Sequence, residues 1–164
     1  MEQSVEVAII MGSKSDWAVM ENSAKLLAQF GVSYDARVLS AHRTPEALAE
    51  QMETYEKNGL RVYIAAAGLA AHLGGVIASH TLLPVIGVPM DAGTLQGVDA
   101  LYSMVQMPPG IPVSVMGIGK PGAVNAALYA VSILALAEPA YREKLVVYRK
   151  EQAQKVLSEK LDLP

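Results

Sequence analysis

The sequence contains no cysteine and little charge. Without cysteine, the chain can form neither disulfides nor thiolate metal sites, and it carries no cysteine nucleophile. Only 18% of its 164 residues are charged, the net charge is −3, and no basic cluster exceeds a few residues. An electrostatic nucleic-acid interface is therefore not expected.

Long apolar runs and a signal-peptide pattern are also lacking. The longest apolar stretch, residues 123–137, is interrupted by Asn125 and Ser132 and falls short of the roughly 20 residues that a membrane span requires. The amino terminus carries Glu2 and Glu6 and enters a strand-like run. We expect a cytoplasmic protein with no membrane contact, in which residues 123–137 form a buried helix.

What the chain has in abundance is hydrophobic residues, at 52%, with a mean hydropathy of +0.28. Its length suits one domain, residues 1–164, with a full core. The composition is apolar for a soluble monomer of this size, so we expect subunit interfaces to bury part of the excess.

Strand and helix patterns alternate five times without a linker or repeat, which predicts a parallel sheet between two helical layers. The fold class is thus α/β, a three-layer αβα, doubly wound sheet of the flavodoxin-like or Rossmann-like kind, with an extra C-terminal helix. We assign residues 1–137 to the sheet and its helices, and 138–164 to an oligomerisation helix and tail. Predicted strands are 5–11, 34–39, 61–66, 84–89 and 112–116; predicted later helices are 96–105, 123–137 and 140–161.

The terminal helix differs from the others in carrying many charges around one apolar stripe. Tyr141, Leu145 and Tyr148 belong to that stripe. Such a helix either covers its own sheet or reaches onto a neighbouring subunit. We favour the neighbouring subunit because the rest of the chain is so apolar.

The most informative motif, Ser40-Ala41-His42-Arg43-Thr44-Pro45, lies where a predicted strand gives way to a helix that Thr44 can cap. Histidine can hold or release a proton near neutral pH, and arginine offers a planar fork of donors to phosphate or carboxylate. Such strand ends are where open α/β sheets place ligands. Taken singly, His42 could be an ordinary loop histidine and Arg43 a surface residue.

A second strand-to-helix junction, Gly12-Ser13-Lys14-Ser15-Asp16, offers free backbone N–H groups and hydroxyls to an anion. It fits neither the P-loop nor the dinucleotide fingerprint. Asp16 could accept hydrogen bonds from a sugar diol. The alternative is an ordinary helix start, capped by a serine and with Asp16 complementing the helix dipole.

The third candidate site is the small-residue run at residues 65–75, which holds Gly68, His72 and Leu73 and allows close approach of a ligand or backbone. His72 could instead be a helix-start histidine packed at an interface. The scattered histidines, without a carboxylate cluster, argue against a metal. The residues alone predict an enzyme with a phosphate-bearing ligand and His42 as acid/base.

These motifs resemble the class I form of the N5-carboxyaminoimidazole ribonucleotide mutase family. The resemblance implies transfer of a carboxylate from N5 to C4 of an imidazole ribonucleotide in de novo purine biosynthesis, without metal, ATP or organic cofactor. It also implies a homo-octamer whose terminal helices embrace neighbouring subunits. The match extends over residues 5–137 and rests on residues 12–17, 40–45, 70–73, 102–108, 110–113 and 119–128.

By this resemblance, Ser13, Ser40 and Arg43 would hold the 5′-phosphate, Asp16 the ribose hydroxyls, and His42 would be the acid/base. Gly68, His72 and Leu73 would line the pocket for the base and its carboxylate. The chain departs from the family pattern at Leu69, where glycine is common, and at Gly74, where proline is common. Two other functions stay open: direct carboxylation of aminoimidazole ribonucleotide by CO2, and a non-catalytic phosphoribosyl sensor.

Overall fold

The computed structural model describes residues 4–161, in which five strands alternate with helices and a longer helix follows. The strands are β1 (Val7–Met11), β2 (Tyr34–Val38), β3 (Val62–Ala67), β4 (Val85–Pro89) and β5 (Ser114–Val115). The helices are α1 (Trp17–Phe30), α2 (Pro45–Lys57), α3 (Leu73–His80), α4 (Val98–Val105), α5 (Lys120–Leu134) and α6 (Pro139–Ser158), and a 3₁₀ turn (Lys14–Asp16) precedes α1.

All strand pairs are parallel, and their order across the sheet is β2-β1-β3-β4-β5. Alternate residues of β1 enter two separate cores: Val7 and Ile9 pack with residues of α1 and α5, whereas Ala8 and Ile10 pack with residues of α2, α3 and α4. Helices therefore cover both faces of the sheet. The predicted doubly wound α/β fold is confirmed.

The strand order places a crevice above β1 and β3. The chain runs from β1 outward to β2, then crosses back and continues through β3 to the opposite edge. Loops that leave β1 and β3 consequently diverge to opposite faces, and an opening forms at the carboxyl ends of the strands. All three candidate motifs of the sequence lie at this edge.

Several element boundaries differ from the predicted ones. Only Ser114 and Val115 pair in β5, because it is an edge strand and Pro112 cannot donate to a ladder. Helix α4 begins at Val98 rather than at Gln96, since Gln96 and Gly97 adopt positive φ angles of 49° and 85°.

Helix α6 packs on its own chain through its first half. The hydroxyl of Tyr141 donates to Glu6 Oε2 at 2.8 Å, and the rings of Tyr148 and Phe30 lie 5.7 Å apart. Residues 151–161 are all exposed. The apolar stripe of α6, which we expected to reach a neighbouring subunit, therefore packs on its own domain at Tyr141 and Tyr148. For the exposed residues 151–161, contact with a neighbouring subunit stays a prediction.

Within residues 4–161, no helix is both long enough and apolar enough to cross a bilayer.

Candidate active site

A cleft of about 480 Å³ opens at the carboxyl ends of four adjacent strands. Residues from 12–16, 40–43 and 67–73 line it, together with Ala92 after β4. The loops of β1 and β2 contribute serines, Asp16, His42 and Arg43, whereas those of β3 and β4 contribute alanines, glycine and leucine. In the strand order, β2 and β1 are neighbours and so are β3 and β4. The cleft therefore has a polar half above β2 and β1 and an apolar half above β3 and β4.

The polar half begins with a tight turn between Ser13 and Asp16. The backbone N–H of Ser13 donates to Asp16 Oδ2 at 3.1 Å, and the N–H of Ser15 donates to the Ser13 hydroxyl at 3.3 Å, which closes a capping box. Burial raises the pKa of Asp16, although the Ser13 N–H and the Ser15 hydroxyl pull it down. The turn is thus a capped helix start, and its side chains also line the cleft.

Arg43 joins the β2 loop to the β1 loop. Its Nη2 donates to the carbonyl of Gly12 at 2.7 Å, and its backbone N–H donates to the Ser40 hydroxyl at 3.2 Å. Arg43 is exposed, so its remaining donors are open to a ligand. The guanidinium, the Ser40 hydroxyl and the Gly12-Ser13 backbone thereby form one rim of polar groups, whose predicted role is anion binding and which we call the anion-binding rim.

Thr44 closes the loop that carries His42, rather than capping α2 with its side chain. Its hydroxyl accepts from the Ser40 N–H at 2.9 Å and donates to the Ser40 carbonyl at 3.1 Å. Thr44 is the N-cap residue of α2, as predicted, but its side chain makes no capping hydrogen bond because the hydroxyl is already engaged within the loop. Residues 40–44 form a closed turn that presents His42 and Arg43 together.

The ring of His42 meets the ring of His72 from the next strand end. Nε2 of His42 lies 3.0 Å from Nδ1 of His72, and the rings are edge-to-face with centroids 5.1 Å apart. A single proton between the two nitrogens makes one ring the donor and the other the acceptor. Both side chains are exposed, so His42 can exchange a proton with a ligand in the cleft.

Gly68 and Leu73 delimit the apolar half. A Cβ on Gly68 would stand 2.9 Å from the Cβ of Ala92, so only glycine lets the β3 and β4 loops approach this closely. Leu73 is 3% exposed and anchors the loop at the start of α3. The close approach predicted from the small residues is filled by a neighbouring loop of the same chain.

A family model described as AIR carboxylase matches residues 6–155. The chain belongs to this family. Two relatives named N5-carboxyaminoimidazole ribonucleotide mutase are similar over nearly their whole lengths. That of Pseudomonas aeruginosa is 51% identical over 94% of this chain and 94% of its own, and that of Escherichia coli K12 is 52% identical over 92% and 89%.

The fold agrees with a solved member of the family. The crystal structure of Treponema denticola PurE superposes with a TM-score of 0.84 at 32% identity, covering 92% of this chain and 93% of that one. A backbone likeness of this extent, together with the family match, supports the same arrangement of strands and loops around the cleft.

The structure gathers the predicted site residues of this family member at one cleft, with one exception. His72 does not line the cleft but contacts His42 beside it. The predicted residues that do line it are Ser13, Asp16, Ser40, His42, Arg43, Gly68 and Leu73. Their catalytic and binding roles stay predictions.

Ala92 is a lining residue that sequence reasoning missed. It follows β4, which pairs with β3, so its place at the same edge could have been found from the strand order. Among residues 4–161, no cluster of three or more histidine, aspartate or glutamate side chains is arranged to hold a metal ion.

Proposed function

We propose that this chain is an N5-carboxyaminoimidazole ribonucleotide mutase of de novo purine biosynthesis. It would convert N5-carboxyaminoimidazole ribonucleotide to 4-carboxy-5-aminoimidazole ribonucleotide. Identity of about half over nearly the full length to relatives of that name supports this. The observation that carries the proposal is that His42 lies in one cleft between an anion-binding rim and an apolar loop.

The anion-binding rim suits the 5′-phosphate of the ribonucleotide. Arg43 supplies charge and a fork of donors, and the hydroxyls of Ser13 and Ser40 supply further hydrogen bonds. Asp16, partly buried beside them, accepts only weakly from Ser15 through Oδ1, at 3.4 Å. That oxygen is available to the ribose hydroxyls, which orients the base toward the apolar half.

His42 moves one proton twice in this mechanism. It first donates to the carbamate nitrogen N5; the N–C bond breaks, its electron pair stays on nitrogen, and CO2 is released. C4 of the aminoimidazole then adds to CO2, and His42 removes the proton from C4, which regenerates the protonated ring. One group close to both atoms serves both steps.

CO2 must stay beside C4 between these steps. The apolar half, with Gly68 and Leu73, would exclude water and hold the neutral CO2 molecule in the cleft. His72 contacts His42 beside the cleft. Because CO2 is then held next to the nucleophilic carbon C4, proximity favours its capture by C4. The reaction as written uses no metal, ATP or organic cofactor.

We also propose that the enzyme is a cytoplasmic homo-octamer. Large apolar side chains are exposed on separate faces: Leu82 is 104% exposed, Tyr102 60% and Leu157 79%. Exposed apolar surface on several faces of one chain is typical of proteins that bury it against other subunits. The exposed second half of α6 offers a further surface for such a contact.

The role of His42 is tested by replacing it with asparagine. His42→Asn is expected to lower turnover by a factor of about 10²–10⁴, the usual contribution of a general acid/base, while nucleotide affinity changes little. Turnover is followed by product absorbance and affinity by calorimetry. His80→Asn, at the exposed end of α3, is the matched control. Unchanged turnover in His42→Asn would remove this residue from the mechanism.

A further inference from the structure

Strand β2 is an open lateral edge of the sheet. Among the strands of residues 4–161 it pairs with β1 alone, so the backbone groups on its other side have no partner strand. Such an edge is a template for pairing with another strand, and short strands, proline or lysine often protect it. The opposite lateral edge, β5, is two residues long, whereas β2 has five residues and contains neither proline nor lysine.

The hydrogen bonds to β1 show which backbone groups of β2 face the free side. The carbonyl of Ser33 accepts from the Val7 N–H at 3.1 Å, so the odd-numbered residues of this strand direct their backbone groups to β1. The backbone N–H and carbonyl groups of Tyr34, Ala36 and Val38 consequently point away from β1.

The side chains of β2 are complementary to those of an antiparallel second copy centred on Ala36. On one face, Tyr34 then lies opposite Val38 of the second copy; these side chains are 36% and 49% exposed in the single chain and become more buried on pairing. On the other face, Asp35 lies opposite Arg37 of the second copy. This position falls between hydrogen-bonded residue pairs, where opposing side chains come closest.

Within one chain, the charged side chains of β2 are only partly engaged. Asp35 Oδ2 accepts from Arg37 Nε at 2.8 Å and from the Tyr55 hydroxyl at 2.7 Å, while Oδ1 accepts from the Ala36 N–H at 2.8 Å. On pairing, that N–H would donate to the Ala36 carbonyl of the second copy. The Arg37 side chain is 53% exposed, so its other nitrogens are open to a carboxylate across the axis.

We propose that β2 is an interface at which two copies of this chain pair antiparallel about a two-fold axis at Ala36, which makes their sheets continuous. The outward backbone groups of Tyr34, Ala36 and Val38 bond across the axis, and an Asp35–Arg37 ion pair forms on either side of it. The contact closes with two chains and leaves neither with an open β2 edge. It provides one contact of the proposed octamer and does not depend on the mutase reaction.

The test mixes two variants whose β2 edges carry opposite charge. Arg37→Asp has two acidic side chains on this edge and Asp35→Arg has two basic ones, so like charges face each other when either variant pairs with itself. In the mixture each acidic side chain faces a basic one. A bond within one chain cannot be restored by mixing, so recovery reports contact between chains.

Light scattering is expected to give each variant alone about half the particle mass of the wild type or less, and the equimolar mixture the wild-type mass. Lys57→Asp and Glu53→Arg, which reverse the charges of an exposed ion pair on α2, are the matched controls and should keep the wild-type mass. Variants that keep this mass, or a mixture that stays at the reduced mass, overturn the proposal. A wild-type particle with the mass of one chain overturns the octamer as well.

A disulfide across the axis tests the contact without changing any charge, and it decides the matter if a charge variant does not fold. The chain has no cysteine of its own, and the two Ala36 Cα atoms would lie about 5.5 Å apart, a distance that a disulfide spans. With oxidised glutathione, Ala36→Cys is expected to form a covalent dimer on a non-reducing gel. Glu50→Cys, exposed on α2, should stay a single chain. Absence of the Ala36→Cys dimer overturns the proposal.

Discussion

At the scale of single residues, Arg43 uses some of its donors within the fold and leaves the others open to a ligand. One of its nitrogens binds the Gly12 carbonyl, and its Nε lies 3.4 Å from the Ser40 hydroxyl. The rest of the guanidinium is open to solvent. A lysine offers no planar fork and could not bind the carbonyl and a phosphate in the same way.

Arg43→Ala is therefore expected to weaken binding of 5′-phosphorylated ligands by a factor of about 10–100, the loss of one charge-assisted interaction. Binding of the matching nucleoside, which lacks the phosphate, should not change. Calorimetry with the nucleotide and nucleoside measures both. Arg142→Ala, on the exposed face of α6, controls for the loss of a charge. Equal losses for nucleotide and nucleoside would refute a phosphate-binding role.

The sequence predicted nearly all of the cleft residues because parallel strands end at a common edge. Gly68 directly follows β3, and Ser13 and His42 lie two and four residues after the ends of β1 and β2, so their convergence depends mainly on strand order. The contact between His42 and His72 was not predictable in this way. It depends on where α3 begins and on the direction in which each imidazole projects.

At the scale of elements, the ends of helices and strands depend on contacts that periodicity does not report. The helix predicted to follow the junction at residues 12–16 is preceded by a 3₁₀ turn, because the capping box between Ser13 and Asp16 tightens its start. Helix α5 starts at Lys120, earlier than predicted, since Pro121 is compatible with a first helical turn. The strand and helix order itself follows from the alternating patterns.

Helix α6 is fastened to the sheet by a polar cluster at the edge opposite the cleft. Tyr141 donates to Glu6 Oε2, which also accepts from the Ser33 hydroxyl, and Arg61 pairs with both Glu6 and Glu138. Burial, together with the hydrogen bond to Glu6, raises the pKa of Tyr141 to about 12. The cluster fixes the start of α6 on its own chain.

Tyr141→Phe removes this hydrogen bond and should lower the free energy of unfolding by about 1–2 kcal/mol near pH 8. The folded state holds the phenol proton more tightly than the unfolded chain, whose tyrosine pKa is about 10. The stabilisation is thus complete below pH 10 and lost as pH rises towards 12. Urea denaturation at several pH values should show the difference between variant and wild type shrinking above pH 10.

Tyr102→Phe, which changes an exposed phenol on α4, is the matched control for that experiment. A Tyr141→Phe difference that stays constant from pH 8 to 11.5 would contradict the assigned contact.

At the scale of the whole molecule, the fold places the candidate catalytic and binding side chains at the carboxyl ends of the strands, at one edge of the sheet. The two cores bury the central strands β1, β3 and β4 on both faces, yet large apolar side chains remain exposed on α4, on α6 and at Leu82. The composition, with 52% hydrophobic residues, already indicated this excess of apolar surface. Which of these faces meet in an assembly could not be predicted, because it depends on the shapes of two surfaces at once.

Light scattering of the purified protein is expected to give a particle of about eight chains of 17.4 kDa each. Burial of the exposed apolar faces favours this assembly, so the mass should persist at high salt, which screens ionic contacts only. A particle with the mass of one chain at micromolar concentration would contradict the octamer.

The central claim is that the cleft isomerises a carbamate without help from another reagent. The direct measurement follows N5-carboxyaminoimidazole ribonucleotide and purified protein in buffer without ATP, added metal or bicarbonate. The account predicts that 4-carboxy-5-aminoimidazole ribonucleotide forms catalytically under these conditions. Product formation only from aminoimidazole ribonucleotide with added bicarbonate would contradict it and assign direct carboxylation to the same cleft.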